Sequence, residues 1–100
     1  MITALYLYNL KENVNIEDYK KWSIEYDQKT VNSFSGIKSF EVYINQNPEK
    51  KYDIFEVIRV ESWKRWTEIG KSPEMDKLKE EHKKLVDRTS MVKLYGEEII

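Results

Sequence analysis

The chain has no cysteine, which excludes a disulfide framework, a thiol nucleophile and any thiolate metal site. Histidine occurs once, at His82, so no cluster of imidazoles can bind a metal. Glycine and proline are also scarce, three and two residues, and no repeat, low-complexity tract or linker divides the sequence. A single domain over residues 1–100 is therefore expected. No apolar run approaches the roughly 20 residues of a membrane-spanning helix, and the charges between Lys11 and Lys21 end a signal-peptide reading. The expectation is a soluble cytoplasmic domain with no membrane partner. One-sided charge is missing as well: 17 basic and 18 acidic side chains leave a net charge of −1, which argues against an electrostatically driven nucleic-acid binder. Aromatic residues, by contrast, are plentiful, with seven tyrosines, three tryptophans and three phenylalanines.

Those aromatics fall into a regular pattern. Ile2 to Leu10 is apolar on both alternating faces and predicts a strand covered on two sides. Asn15 stands as an N-cap ahead of Glu17 and Asp18, and Ile16, Tyr19, Trp22 and Tyr26 recur at helical spacing, predicting a helix from Ile16 to Val31. Trp22 and Tyr26 fall on its inner face, with Asp27 and Thr30 on the flank. After the turn residues Ser33 to Gly36, strands over Ile37–Ile44 and Tyr52–Val60 form a hairpin around the polar Asn45–Lys50 loop. Ser62 caps a short helix ended by Gly70. Ser72 and Pro73 start a second long helix with Met75, Leu78, His82 and Leu85 on one face. Asp87 to Ser90 ends that helix, and Met91–Tyr95 reads as a last strand.

The order βαββαβ predicts an α+β, ferredoxin-like fold: a four-stranded antiparallel sheet with its helices on one face. The other face, carrying Leu5 or Leu7, Tyr43, Phe55 and Val57, is apolar and has no covering layer in this chain. Sheet-to-sheet homodimerisation would cover it. The same element order describes an RNA-recognition module, but Lys51-Tyr52-Asp53-Ile54-Phe55-Glu56-Val57 lacks the required glycine and carries two acids. No nucleic-acid partner is expected. The clusters Tyr19-Lys20-Lys21-Trp22 and Trp63-Lys64-Arg65-Trp66 read as core aromatics with solvated lysines between them.

Two residues carry the chemistry. Glu56 interrupts the apolar set Tyr52, Ile54, Ile58 and Val60, so it points toward the helices. If Ile44 pairs with Tyr52, Phe40 stands opposite it. A carboxyl there is paired, hydrated in a cavity or raised in pKa, as a general acid/base or as a structural network member. His82 on an apolar stripe is either a general acid/base or haem ligand, or a partly buried histidine bonded to a carbonyl or carboxylate. Glu41, on the opposite face, is expected to pair with Arg59 or a symmetry mate.

Several segments together resemble the RedY-like (HapK) family of the dimeric α/β-barrel superfamily. They are Tyr8-Asn9-Leu10-Lys11, Tyr19-x-x-Trp22, Asp27-x-x-Thr30-Val31, Ser39-Phe40-Glu41-Val42, Tyr52-x-x-x-Glu56, Met75 and Glu97-Glu98-Ile99. Two features depart from that pattern: His82 stands where an aromatic is expected, and Glu12-Asn13 replaces a Pro-Gly. The resemblance implies a homodimeric α/β barrel with a pocket in each subunit between sheet and helices. Named members accompany prodiginine-type pigment biosynthesis, where the ligands are aromatic heterocycles. The expected activity is a cofactor-independent cyclisation, condensation or oxidation of a small aromatic or hydrophobic metabolite. Glu56 and His82 are the expected catalytic pair, with Trp22, Tyr26, Asp27, Phe40, Tyr52 and Met75 around the substrate. The alternatives are a non-catalytic ligand-binding or stress-associated dimer, and a haem-binding or haem-degrading barrel using His82. No metal is expected.

Overall fold

The computed structural model describes residues 1–100. Strand β1 (Ile2–Leu10) leads to α1 (Ile16–Trp22), a π-helical segment (Ser23–Asp27) and α2 (Gln28–Asn32). Strands β2 (Ile37–Ile44) and β3 (Ile54–Val60) form the hairpin, followed by α3 (Trp63–Gly70), α4 (Pro73–Leu85) and β4 (Val86–Gly96). The sheet is antiparallel in the order β2-β3-β1-β4, which is the ferredoxin-like α+β arrangement. No helix is long and apolar enough to cross a membrane.

The helix starts follow their caps. Asn15 Oδ1 accepts from the Glu17 amide at 2.7 Å, Ser62 Oγ from Arg65 at 3.1 Å and Ser72 Oγ from Met75 at 3.2 Å. Gly36 adopts φ +91°, and a Cβ there would meet the Arg65 side chain at 2.8 Å, so both conformation and space require glycine. The core lies on one side of the sheet. Ala4, Phe40 and Ile58 pack under Val31, Ile69, Met75 and Leu78, while Tyr8, Ile54 and Val86 pack with Tyr19.

Three expectations need correction. The first long helix is not uniform, because the π segment splits it. Second, β3 begins at Ile54, and Tyr52 lies outside the ladder. Asn45 Nδ2 donates to the Tyr52 carbonyl at 2.9 Å, and the Asn45 amide donates to the Asp53 carbonyl at 2.8 Å, drawing these residues into the loop. Ile44 therefore pairs with Ile54, and Glu56 stands opposite Val42 rather than Phe40. A two-residue slip keeps every side chain on its own face, so Glu56 still points toward the helices. Third, α4 ends at Leu85 and β4 starts immediately at Val86, five residues before the expected strand. The Leu85 carbonyl accepts from the Lys11 amide at 3.0 Å, and an irregularity between Leu7 and Asn9 absorbs the extra length.

Opposite the helices, the sheet is open. Tyr43 stacks on Phe55 with ring centroids 5.0 Å apart, Tyr43 is 41% exposed and Leu94 53%. Arg59 and Glu41 form the expected ion pair there at 3.5 Å.

Candidate active site

Glu56 sits at the centre of the helix-covered face. In the sheet it pairs with Tyr6 of β1, which in turn pairs with Lys93 of β4. It is 5% exposed, and its Oε2 accepts a hydrogen bond from the Tyr8 hydroxyl. That hydroxyl also bonds the Tyr19 hydroxyl. A phenol has a single proton, and Tyr8 gives its own to Glu56, so Tyr19 is the donor to Tyr8. The direction Tyr19 to Tyr8 to Glu56 fixes the orientation of the carboxyl group. Burial pushes the Glu56 pKa up to about 7, against the opposing effects of the Tyr8 hydrogen bond and the Lys93 charge.

His82 Nε2 lies 4.0 Å from Glu56 Oε2, too far for a direct hydrogen bond. Its ring meets Tyr8 edge to face at 5.1 Å and Trp22 at 6.0 Å. Burial and then the charges of Arg88 and Lys93 lower its pKa to about 4. With the acid raised and the imidazole lowered, the two groups are both neutral between these values. Their contact is a neutral pair rather than a salt bridge.

Asp27 joins them from the first helix. It is 3% exposed, its Oδ2 has no hydrogen-bond partner, and burial followed by the Glu56 charge holds its pKa well above the usual carboxylate range. Its inward position corrects the expectation that it lies on the helix flank. Tyr19, Ser23, Asp27 and Val31 are all buried and all four residues apart. On a regular α-helix such a series drifts by about 40° per step. The wider π turn over Ser23–Asp27 removes that drift and keeps the four on one face.

Glu56, His82 and Asp27 line one cavity of about 310 Å³ between the sheet and the helices. Five of the eight expected site residues line it: Asp27, Phe40, Glu56, Met75 and His82. Trp22 and Tyr26 stand behind it, Trp22 against His82 and Tyr26 edge-on to Trp22 at 5.9 Å. Tyr52 is away from it, in the hairpin loop beside Lys51. The cavity adds residues that sequence reasoning missed. Tyr6, Trp63, Trp66 and Tyr95 form an aromatic wall, and Lys79, Arg88 and Lys93 bring three cations. Tyr6, Lys93 and Tyr95 follow from strand parity once β4 is registered on β1; Arg88 was hidden because its segment read as a helix end. Nowhere do three His, Asp or Glu side chains converge at metal-binding spacing.

A ferredoxin-like α+β domain, with a polar-floored aromatic cavity between its sheet and helices, is the class that fold and site define. The chain belongs to the REDY-like protein HapK family, whose profile matches residues 2–99. The crystal structure of HapK from Hahella chejuensis is similar, with a TM-score of 0.86 at 16% identity, covering 99% of this chain and 93% of that one. A dimeric protein of ferredoxin-like fold from Bacteroides fragilis superposes with a TM-score of 0.73 at 17% identity, covering 97% and 95%. The hydroxynitrile lyase from Passiflora edulis does so with a TM-score of 0.78 at 12% identity, covering 95% and 90%. At these identities the likeness is one of fold. No curated protein matches the chain in sequence.

Proposed function

We propose that the chain is a homodimeric, cofactor-independent acid–base enzyme acting on a small aromatic metabolite in the cavity around Glu56. The observation that carries this reading is Glu56 itself: a buried carboxyl at the cavity floor, oriented by Tyr8. Its burial pushes the pKa up to about 7. A group half protonated at neutral pH can both take and return a proton, which is the compromise general acid–base catalysis favours. Cyclisations and condensations of aromatic carbonyl compounds need that service: a proton leaves carbon beside the carbonyl and another reaches oxygen. Tyr8 and Tyr19 hold the carboxyl in place, His82 flanks it as a neutral imidazole, and Phe40, Met75 and Tyr6 supply apolar surface for a ring. The homodimer is supported by the open apolar sheet face and by the dimeric relative of the same fold.

Phenylacetone serves as a carbon-acid probe. In D₂O, wild-type protein should accelerate deuterium exchange beside its carbonyl, read by NMR, and Glu56→Gln should fall back to the buffer rate. Affinity for the probe, read by calorimetry, should change by less than about threefold. Binding without accelerated exchange would instead support a non-catalytic ligand-binding dimer. Equal exchange by wild type and Glu56→Gln would remove Glu56 from the chemistry.

A further inference from the structure

We propose that the metabolite is an aromatic carboxylate, its acid group held by Lys93 and Arg88 while its reactive oxygen reaches Glu56. This rests on the aromatic-pocket reading above and specifies its substrate class.

The cavity is cationic in a chain whose net charge is −1. Lys79, Arg88 and Lys93 all line it, and none of them pairs with a carboxylate. Of the fourteen other basic side chains six have acidic partners, so what sets Lys79, Arg88 and Lys93 apart is their convergence on one cavity. Lys79 Nζ donates to the Gly70 carbonyl at 2.9 Å, which anchors it at the cavity edge. Lys93 Nζ lies 5.2 Å from the centre of the Tyr6 ring. The Arg88 guanidinium makes no ion pair within the chain, which leaves its planar fork free for a carboxylate. All three residues are exposed at the mouth of the cavity, and cations gathered there raise the local concentration of anionic ligands.

The sheet register orders the groups that a ligand would meet. Lys93, Tyr6 and Glu56 lie side by side on β4, β1 and β3, all on the helix-covered face. Two strand spacings separate the first from the last, roughly 10 Å between their backbones. A benzene ring packed beside Tyr6, one face of which Lys93 Nζ already approaches, would carry a carboxylate toward the cations at one end and a hydroxyl or carbonyl oxygen toward Glu56 at the other. Around Tyr6 the wall is already aromatic: Trp66 stands 6.4 Å away, and Tyr95 meets it edge-on at 5.9 Å with a 2.9 Å hydrogen bond between the hydroxyls. Trp63 extends the wall, edge-on to Tyr95 at 4.9 Å. Asp27, with its unpartnered Oδ2, lies in the same cavity as a second acidic group for the reactive end.

The test compares 4-hydroxybenzoate with its methyl ester, which keeps the ring and phenol but loses the charge. In calorimetry at low salt and neutral pH, the acid should bind wild type at least tenfold more tightly than the ester. The ratio should fall toward one in 0.5 M NaCl. It should also fall toward one in the Arg88→Met/Lys93→Met double variant, whose circular dichroism should match wild type. If the double variant does not fold, Lys93→Gln alone should still cut the ratio severalfold. An ester that binds as tightly as the acid overturns the proposal and leaves the aromatic pocket standing. A preference that survives loss of both cations also overturns it. Binding of neither probe overturns the aromatic-pocket reading itself, and this proposal with it.

Discussion

Glu56 and His82 face each other with opposite pKa shifts, and the consequence is a stability profile that only a variant reveals. Glu56 is raised from 4.5 to about 7, so the folded protein keeps this proton longer than the unfolded chain does. Its contribution is most favourable below pH 4.5 and is lost as pH rises to about 7. His82 is lowered from 6.5 to about 4, so its folded form resists charging, and stability is gained as pH rises through that interval. The two trends offset one another between about pH 4.5 and 6.5. Asp27 acts in the same direction as Glu56, and because the Glu56 charge helps to raise it, its own cost at high pH also eases in Glu56→Gln. Glu56→Gln, which imitates the protonated acid, should match wild type near pH 4. By pH 8 it should be more stable by an amount on the order of 3 kcal/mol, read by urea unfolding. Parallel curves for the two proteins would mean that Glu56 has an ordinary pKa. At Tyr8, Phe should cost about 1–3 kcal/mol, because both the Tyr19 hydroxyl and the Glu56 carboxyl lose a buried partner. Glu56 was legible in the sequence because an acid within an alternating apolar strand has few explanations. The cations Arg88 and Lys93 were not, since a charge near a chain edge reads as solvated until its strand partner is known.

Elements account for the rest of what the sequence concealed. Each cap and the strand parity followed from local residue chemistry, and they placed Glu56 on the helix-covered face despite the shifted hairpin register. The π segment did not follow, because helical periodicity assumes about 100° per residue. Its trace is the buried series Tyr19, Ser23, Asp27, Val31, visible only once the polar members are known to be inside. Deletions can test its role. Tyr19 and Val31 are twelve residues apart, and removing one residue between them lets a regular α-helix keep both on the core face to within about 20°. Deleting Ile24, which is 58% exposed, leaves Asp27 seven residues from Tyr19 and still directed inward. Deleting Lys29 leaves it eight residues away, turned about 80° off the core face. Both variants should keep wild-type helicity by circular dichroism. Only the Lys29 deletion should weaken binding of 4-hydroxybenzoate, on the order of tenfold. Equal losses in the two would show that the π turn does not serve to place Asp27.

On the scale of the whole molecule, the two faces of the sheet divide the work. The helix-covered face holds the core and the cavity; the other presents Tyr43, Phe55, Val57 and Leu94 with no layer of this chain over them. Burying such a face repays about 25 cal/mol per Å² of apolar area, the margin a 100-residue chain needs. Light scattering should therefore give twice the 12.1 kDa chain mass, and Phe55→Glu should shift the protein toward monomer at micromolar concentration. A wild-type monomer under those conditions would contradict the dimer. The fold class was readable from the order of its strands and helices, whereas the cavity was readable only in part, because its walls come from all four strands and from the helices that cover them. What unites fold and site is a buried carboxyl that changes protonation near neutral pH. The direct test is a carbon-13 NMR titration of the Glu56 side-chain carboxyl, assigned by its loss in Glu56→Gln. A midpoint close to pH 7 is the predicted result. A midpoint near 4.5, the ordinary value for a solvated glutamate, would contradict the account.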